Sequence, residues 1–231
     1  DLSLDIYFDG TKAKTVKINA ENLFTFDNKF VLEGSDITTG DHKLTLKKTG
    51  KGPIYFNAYL DYFTLEDFIT REGLEIKVNR RVYRLKEVDK KVKDVGSRGH
   101  VVDRKVEKYK RVPLENLSAV DSGDLVEIEL VIESKNDYEY LVFEDMKAAG
   151  FEPVAVRSGY GSNEMGAYVE YRDRKVCFFV HRLARGRHSI SYRLRAEIPG
   201  KFSALPTRAY AMYAPELKAN SDEIKLIVMD K

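Results

Sequence analysis

The sequence predicts an all-β protein made of two antiparallel β-sandwich units. Most of its 231 residues fall into short segments in which apolar and polar residues alternate, as they do in a strand with one buried face. Glycines and pairs such as Pro-Gly separate these segments at intervals of about ten residues, which is typical of sandwich turns. No long stretch repeats apolar residues at positions i, i+3, i+4 and i+7, so we expect little helix.

The first unit is predicted within residues 1–66. Residues 2–8 alternate between apolar and polar side chains and predict its first strand, and residues 54–62 alternate in the same way and predict its last. Turn residues such as Asp9 and Gly10 lie between them. We expect roughly five strands, which are few for a closed sandwich, so the remaining strands of this domain are expected upstream.

The second unit is predicted to comprise residues 67–231, after a short helical turn or linker at residues 65–70. Its clearest strand signal is Val126–Ile132, where branched apolar residues alternate with Glu127 and Glu129, which are expected to face outward. Further strands are predicted at residues 140–143, 167–171, 176–180, 190–196, 208–213 and 224–228.

Charge gives no argument for binding to nucleic acid or to an anionic membrane. The chain has 39 basic and 37 acidic residues and a net charge of +2. Residues 86–111 are rich in Lys and Arg, but acids interleave them and Tyr109 is the only aromatic residue there. A nucleic-acid surface would need more aromatic residues or fewer acids. We therefore expect a long solvated hairpin or a mobile loop, with no nucleic acid and no membrane contact.

Motifs for catalysis or metal binding are sparse. His181 and His188 flank a turn, but a zinc site needs a third ligand and supporting hydrogen bonds. The glycine-rich residues 159–166 lack the lysine of a phosphate-binding loop, so we expect an inter-strand loop. Cys177 lies in an apolar strand and is expected to be a buried, inert thiol. No catalytic residue, metal or cofactor is predicted.

The charged residues on the predicted strands are expected to lie on the solvent-facing surface. Glu144 and Asp145 are adjacent acids at a strand end, and a glycosidase would need two such carboxylates across a cleft. The arginines of the second unit either solubilise its surface or form a polar rim that docks onto another domain. They are Arg80, Arg81, Arg84, Arg182, Arg185, Arg187, Arg193 and Arg195.

Met212 and Tyr213 are the candidate contact residues. They lie between Pro206 and Pro215, so the loop that carries them is expected to be stiff. Methionine adapts to irregular surfaces, and tyrosine offers a rigid amphipathic contact. Simple core packing of the pair is the alternative.

Several segments, taken in order, resemble the C-terminal region of bacterial alpha-2-macroglobulins. They include Ala148-Ala149-Gly150-Phe151-Glu152, which is similar to a family signature. The full set is residues 52–62, 73–83, 122–126, 138–152, 204–206 and 211–215. The resemblance implies that residues 1–66 are the C-terminal part of a CUB-like domain. Residues 67–231 are then the C-terminal macroglobulin-like domain, a fibronectin III/Ig-like sandwich.

The resemblance also implies a function. Members of this family are protease traps of the periplasm or cell envelope, in which a protease cuts a bait segment and the molecule rearranges. In many members an internal Cys–Gln thioester then captures the protease covalently. The Met212–Tyr213 loop is implied to pack on the thioester domain and to shield its bond. The thioester itself is not in this chain, because Cys177 is followed by Phe-Phe-Val.

We therefore expect a non-catalytic fragment of a protease inhibitor, and the start at Asp1 without a leader fits a piece of a longer protein. Its expected partners are the thioester domain and other domains of the same parent chain, and host or competitor proteases through the full-length protein. The alternative is a cell-surface adhesin or a carbohydrate-binding β-sandwich, which would carry an aromatic strip.

Overall fold

The structure, a computed structural model, describes residues 1–61, 68–95, 101–161 and 163–230. It is all-β, as predicted, and separates into two compact units, Asp1–Ala58 and Tyr59–Lys231. The predicted boundary between residues 66 and 67 lies outside the described residues, as do residues 65–67 of the predicted turn, and residues 68–70 form no helix. Among the residues described, no helix has the length and apolar character needed to cross a membrane.

The first unit is a three-stranded antiparallel sheet with the order β2-β1-β3. Its strands are β1 (Leu2–Phe8), β2 (Thr11–Ile18) and β3 (Leu44–Gly50), and a 3₁₀ turn spans Gly34–Asp36. Asp9 and Gly10 form the two-residue turn between β1 and β2, and both have positive φ, at 49° and 83°. Asp-Gly suits this turn because glycine and aspartate tolerate left-handed backbone.

The strand predicted at residues 54–62 is not formed within the described residues of this segment. Phe56 is 64% exposed and Leu60 66%, so these two residues of the predicted apolar face remain in solvent. Alternation shows that a segment has a face to bury, but a strand also needs a neighbouring edge to accept its hydrogen bonds. Within residues 1–58 the unit therefore has three strands rather than the five expected.

His42 links the β1–β2 turn to the loop that precedes β3. Its Nδ1 lies 2.7 Å from Asp9 Oδ2, and its Nε2 lies 2.6 Å from the carbonyl oxygen of Thr38. Only the imidazolium donates from both ring nitrogens at once. The hydrogen bond to Asp9, followed by the one to Thr38, therefore raises the pKa of His42 above its ordinary value of 6.5.

We expect the stability of the first unit to fall as the pH rises through the raised pKa of His42. Because the folded pKa is higher than the unfolded one, this stabilisation is complete below 6.5 and is lost above the folded value. An NMR titration of the imidazole, with unfolding midpoints measured from about pH 5 to pH 9, tests this. His42→Gln should flatten the pH dependence over this range. A titration midpoint at or below 6.5 would contradict the prediction.

The second unit contains the other described strands. They are β4 (Glu72–Gly73), β5 (Ile76–Val95), β6 (Val101–Leu114), β7 (Ala119–Asp121), β8 (Leu125–Ser134), β9 (Tyr138–Met146), β10 (Phe151–Pro153), β11 (Gly159–Tyr160), β12 (Tyr168–Tyr171), β13 (Lys175–Leu183), β14 (Gly186–Ala196), β15 (Gly200–Ala204), β16 (Arg208–Ala211), β17 (Ala214–Asn220) and β18 (Ile224–Met229).

These strands form three sheets. One has five strands in the order β10-β14-β8-β5-β6, and one has seven in the order β11-β12-β13-β9-β16-β17-β4. A three-stranded sheet, β15-β18-β7, contains the parallel pair β7–β18, and the other described pairs are antiparallel. Every second residue of β8 from Val126 to Ile132 is buried, as the alternation predicts. These residues share one apolar core with Phe143 of β9 and Phe178 of β13.

The basic segment at residues 86–111 belongs to the β5–β6 hairpin. The two strands pair from Val82 opposite Leu114 to Val95 opposite Val101, and the turn at residues 96–100 lies outside the described residues. β8 pairs with β5 only as far as Leu85. The hairpin prediction is therefore confirmed over the part of this segment that the structure describes.

Candidate functional site

Met212 and Tyr213 form the turn that joins β16 to β17. Ala211 pairs with Ala214 on either side of it, and the backbone N–H of Met212 donates to the carbonyl oxygen of Tyr140 at 2.9 Å. Met212 is 50% exposed and Tyr213 is 79% exposed. The alternative of simple core packing is therefore wrong. A turn at the end of the sheet places both side chains beyond the core.

A bulge follows this turn in β17. Tyr210 pairs with Lys218 while the next residue, Ala211, pairs with Ala214, so residues 215–217 have no partners in the β16–β17 pairing. Pro215 lies in this bulge. Proline has no N–H to donate, so it is tolerated where the ladder is already interrupted. The bulge therefore explains how a proline follows the turn within a strand.

Tyr140 of β9 supports the turn from the neighbouring strand. Its ring centroid lies 5.3 Å from that of Tyr213 and 4.8 Å from that of His181, with interplanar angles of 82° and 77°. Such edge-to-face contacts stabilise aromatic pairs by about 0.5–1.5 kcal/mol. Tyr140, His181, Met212 and Tyr213 are called the aromatic cluster below. His181 lies on β13 and Tyr140 on the adjacent β9, whereas Met212 and Tyr213 lie in the turn that follows β16, the next strand of the sheet.

Tyr140 has a positive φ of 54°, which is uncommon for a bulky residue. A backbone conformation of this kind costs roughly 1–3 kcal/mol and persists where the surroundings hold it. Here the Met212 hydrogen bond and the two ring contacts surround it. Sequence reasoning missed Tyr140 and the position of His181, because alternation reports neither a positive φ nor the order of strands in a sheet.

An exposed ion pair involves Arg182, the residue that follows His181 in β13. Arg182, one of the arginines expected either to solubilise the surface or to form a docking rim, lies 3.9 Å from Asp137, and the two side chains are 69% and 61% exposed. Exposed pairs of this kind contribute little to stability. Arg182 is therefore expected to contribute little to the stability of the fold, in contrast to the buried Arg80.

Asp145 and Arg80 lie in the interior, so the prediction that these two residues face solvent is wrong. Their side chains are 1% and 2% exposed, and Arg80 Nη1 lies 2.9 Å from Asp145 Oδ1. The hydroxyl of Tyr192 donates to Asp145 Oδ2 at 2.6 Å, and that of Thr207 donates to Oδ1 at 2.7 Å. Burial first, and then the charge of Asp145, raises the pKa of Tyr192 well above its ordinary value.

Arg80 also ties together the chain segments that flank the β16–β17 hairpin. Its guanidinium donates to the carbonyl oxygens of Ala204 and Leu205 at 2.7 Å each, and to that of Asp222 at 3.1 Å. A planar guanidinium satisfies several acceptors at fixed angles. The hairpin that carries Met212 and Tyr213 is thus held at its base by a buried, hydrogen-bonded charge.

On the outer face of the five-stranded sheet, acidic side chains form ion pairs with arginines of the same face. Glu127 was expected to face outward and does, but it is only 5% exposed because arginines cover it. Arg193 donates to it at 3.3 Å, and Arg111 forms a second ion pair with it. Arg111 and Arg193 also lie over the rings of Tyr83 and Tyr109, at 5.2 and 5.1 Å. Arg193 therefore forms its ion pair within its own sheet.

The other side chains considered for chemistry, Cys177, His181 and His188, each have different surroundings. Cys177 is buried, as expected, and burial raises the pKa of its thiol. His188 Nε2 lies 2.7 Å from the Ala184 carbonyl oxygen, whereas His181 packs on Tyr140. In the glycine-rich segment 159–166, Gly159 and Tyr160 form β11, and the described residues 161 and 163–166 belong to the loop that leads to β12. Within the described ranges, no group of three or more His, Cys, Asp or Glu side chains is arranged to hold a metal ion.

Comparison with known proteins identifies the family. The model of the bacterial alpha-2-macroglobulin MG10 domain matches residues 76–216, which is more than half of the chain. The chain belongs to this family. The match extends from β5 into β17, so the Met212–Tyr213 turn and the buried Arg80–Asp145 pair both lie in the MG10 domain.

Two curated relatives are much longer than this chain. The alpha-2-macroglobulin homolog of Nostoc sp. is 27% identical over 207 residues, covering 85% of this chain and 10% of that protein. Circularly permutated Ras protein 2 of Dictyostelium discoideum is 21% identical over 248 aligned residues, covering 99% of this chain and 6% of that protein. The chain therefore spans a tenth or less of the length of these relatives.

Solved structures with similarity include two bacterial alpha-2-macroglobulins. Native alpha-2-macroglobulin from Escherichia coli, from domain MG7 to the C-terminus, has a TM-score of 0.47 and 20% identity, over 68% of this chain and 24% of that one. Salmonella alpha-2-macroglobulin reacted with methylamine has a TM-score of 0.49 and 21% identity, over 98% of this chain and 13% of that one.

Proposed function

We propose that this chain is a non-catalytic, C-terminal part of a bacterial alpha-2-macroglobulin-like protease trap. Membership of the MG10 family supports this proposal, and so does the length of the Nostoc relative, of which the chain spans 10%. In this proposal the chain performs no chemistry itself. Its parent acts in the periplasm or cell envelope and meets host or competitor proteases there.

The role proposed for the MG10 domain is to pack on the thioester domain of the same parent chain and to shield it. The observation that supports this role is the exposure of Met212 and Tyr213 on a firmly supported turn, at 50% and 79%. A rigid tyrosine and an adaptable methionine are suited to fill a neighbour's surface. Exclusion of water from a thioester slows its hydrolysis, because water is the competing nucleophile.

The substitution Met212→Asp in the full-length parent tests this role. A carboxylate at an apolar contact must lose its hydration or break the contact, so docking should weaken. We expect thiol release from the thioester in the absence of protease to accelerate by about ten-fold or more. The matched control is Met229→Asp, because Met229 is also 50% exposed but lies at the end of β18.

Wild-type rates of thiol release and of the response to protease in the Met212→Asp parent would refute the contact. In a parent without a thioester, the exposure of Tyr213 to hydroxyl-radical labelling supplies the equivalent readout. Tyr213 should then be labelled more slowly in the parent than in this chain alone.

A second candidate, an adhesin or carbohydrate-binding module, is favoured by one observation. Tyr160 and Tyr168 lie next to each other on the outer face of the seven-stranded sheet, and Tyr160 is 81% exposed. However, their rings meet at 72°, whereas a sugar stacks best on flat, aligned aromatic faces. Binding of this chain to a glycan array would support the alternative.

A further inference from the structure

We propose that one face of the β5–β6 hairpin binds the surface of an anionic phospholipid bilayer. This face, called the cationic face, is defined by the even-numbered residues of two ranges, 86–94 on β5 and 102–110 on β6. Its charged residues are Lys86, Lys90, Asp94, Arg104, Lys108 and Lys110. The inference concerns this chain by itself and does not depend on the proposed function.

The hairpin extends beyond the sheet that carries it. β5 and β6 pair without a register shift as far as Val95 opposite Val101. β8, the other neighbour of β5, pairs with it only as far as Leu85. Val88 lies on the same face of β5 as the buried Val82, yet Val88 is 44% exposed. The apolar core therefore no longer covers this face of the hairpin at Val88.

The register divides the charges of the hairpin between its two faces. Residues directly opposite each other share a face, and the faces alternate along each strand. The cationic face has five cations and one acid, Asp94, at its far end. The other face, formed by the odd-numbered residues of 87–93 and 103–109, has three cations and four acids. The net charge of the whole chain gave no reason to expect a membrane contact because it averages over faces of this kind.

Two lysines oppose each other directly on the cationic face. Lys86 pairs with Lys110, and both are exposed. Lys108 is the next charged residue along this face, so a third cation adjoins the pair. Like charges directly opposite each other destabilise a sheet. An external anionic surface that lies over this face would offset the repulsion.

A second opposed lysine pair, on the other face, has different neighbours. Lys91 pairs with Lys105, and the pairs on either side of it supply three acids, Asp89, Glu107 and Asp103. The charge of this pair is therefore compensated within the hairpin. The two pairs have the same residue type and the same pairing, and they differ in the charges around them.

Valines alternate with the cations of the cationic face, and this pattern favours a bilayer as the partner. Lysine and arginine keep their charge among the headgroups while their stems and neighbouring apolar residues enter the interface. Nucleic acid would instead need aromatic residues for stacking, and the residues of this face include none. Five cations spread over about 25 Å of hairpin suit an extended anionic surface better than a small anion. Three consecutive pairs join a valine to a cation: Val88 with Lys108, Lys90 with Val106, and Val92 with Arg104.

Co-sedimentation of this chain with phospholipid vesicles tests the inference. One set of vesicles contains phosphatidylcholine with about 40% phosphatidylglycerol, and the other contains phosphatidylcholine only. We expect at least about ten-fold stronger partitioning onto the anionic vesicles. High salt should remove the difference, because it screens the surface charge. Equal partitioning onto the two sets, or none onto either, would overturn the proposal.

Two double variants locate the binding face. Lys86→Gln with Lys110→Gln removes the opposed pair of the cationic face, and we expect roughly thirty-fold weaker partitioning onto the anionic vesicles. Lys91→Gln with Lys105→Gln is the matched control. It removes the same charge from the other face, further from the lipid, and should weaken partitioning by less than about three-fold. Equal losses in the two variants would assign binding to net charge alone and refute the cationic face.

Thermal unfolding separates a binding role of the lysine pair from a structural one. Because Lys86 and Lys110 repel each other, their replacement by glutamine should raise the unfolding midpoint of the vesicle-free chain or leave it unchanged. A lower midpoint would show that the pair supports the fold and would count against the proposal. Binding of this chain to poly-L-glutamate but not to the anionic vesicles would identify an acidic polypeptide as the partner and would also overturn it.

Discussion

Replacing Asp145 with asparagine is expected to destabilise the second unit by about 3–5 kcal/mol, the usual cost of breaking a buried ion pair. The guanidinium of Arg80 would remain 2% exposed and would lose its counter-charge. The new amide group would also present an N–H₂ towards the hydroxyl of Tyr192 or that of Thr207, which now donate to the carboxylate. Urea denaturation of the chain measures the change.

Asp121→Asn is the matched control for this substitution. Asp121 also pairs with an arginine, Arg84, at 2.9 Å, but its side chain is 45% exposed. An exposed pair contributes about 0–1 kcal/mol, so the control should lose little stability. If Asp145→Asn and Asp121→Asn cost the same, the Arg80–Asp145 pair would not be buried in solution.

The double substitution Arg80→Met with Asp145→Leu separates two quantities: the net contribution of the ion pair to stability, and the cost of leaving one of its charges buried without a partner. Replacing both charges by apolar groups of similar size is often neutral, because the desolvation of both ions is no longer required. We expect it to recover more than half of the loss caused by Asp145→Asn. No recovery would show that the carbonyl oxygens bonded to Arg80 carry most of the stability.

The burial of Asp145 was visible in the alternation of β9, although the residue type suggested the opposite. Asp145 is two positions after Phe143 and four after Leu141, so it falls on the same inward face. Its neighbour Glu144 falls on the outer face and pairs with Lys175 at 2.6 Å. Here the strand period was the better guide, because the ion pair and the hydrogen bonds of Arg80 Nη1 and Nη2 and of Asp145 offset part of the cost of desolvation.

Other features depended on pairing between distant parts of the chain. Local alternation predicted β8, β9, β12, β13, β14, β16 and β18 of the second unit, and prolines marked the Met212–Tyr213 loop. The contacts of Tyr140 with His181 and Tyr213 exist only because β13, β9 and β16 are neighbours in the sheet. Strand order is set by long-range pairing, which alternation does not encode. The same limit explains why no strand forms at residues 54–61, the described part of the segment predicted at 54–62.

Replacing Phe143 with alanine is the second large effect that we expect, at about 3–5 kcal/mol. Phe143 is fully buried, and its partners in register are Phe178 on β13 and Ala209 on β16. With alanine at position 209 on one side, little nearby side-chain volume is available to fill the space. Loss of the ring therefore removes apolar burial and leaves a cavity, and the two costs add.

Phe143→Leu and Phe24→Ala separate these contributions. Leucine retains most of the apolar volume, so we expect it to cost less than half as much as alanine at position 143. Phe24 is 95% exposed, and its loss should change stability by less than about 0.5 kcal/mol.

Hydrogen exchange of the β8 and β9 amides reports the stability of this core directly. β9 carries Phe143, Asp145 and Tyr140. If the exchange rates rise in Phe143→Ala but not in Phe143→Leu, the apolar volume packed beneath β9 supports this strand, and with it Tyr140 of the aromatic cluster. Equal rates in the two variants would instead assign that support to the aromatic ring itself.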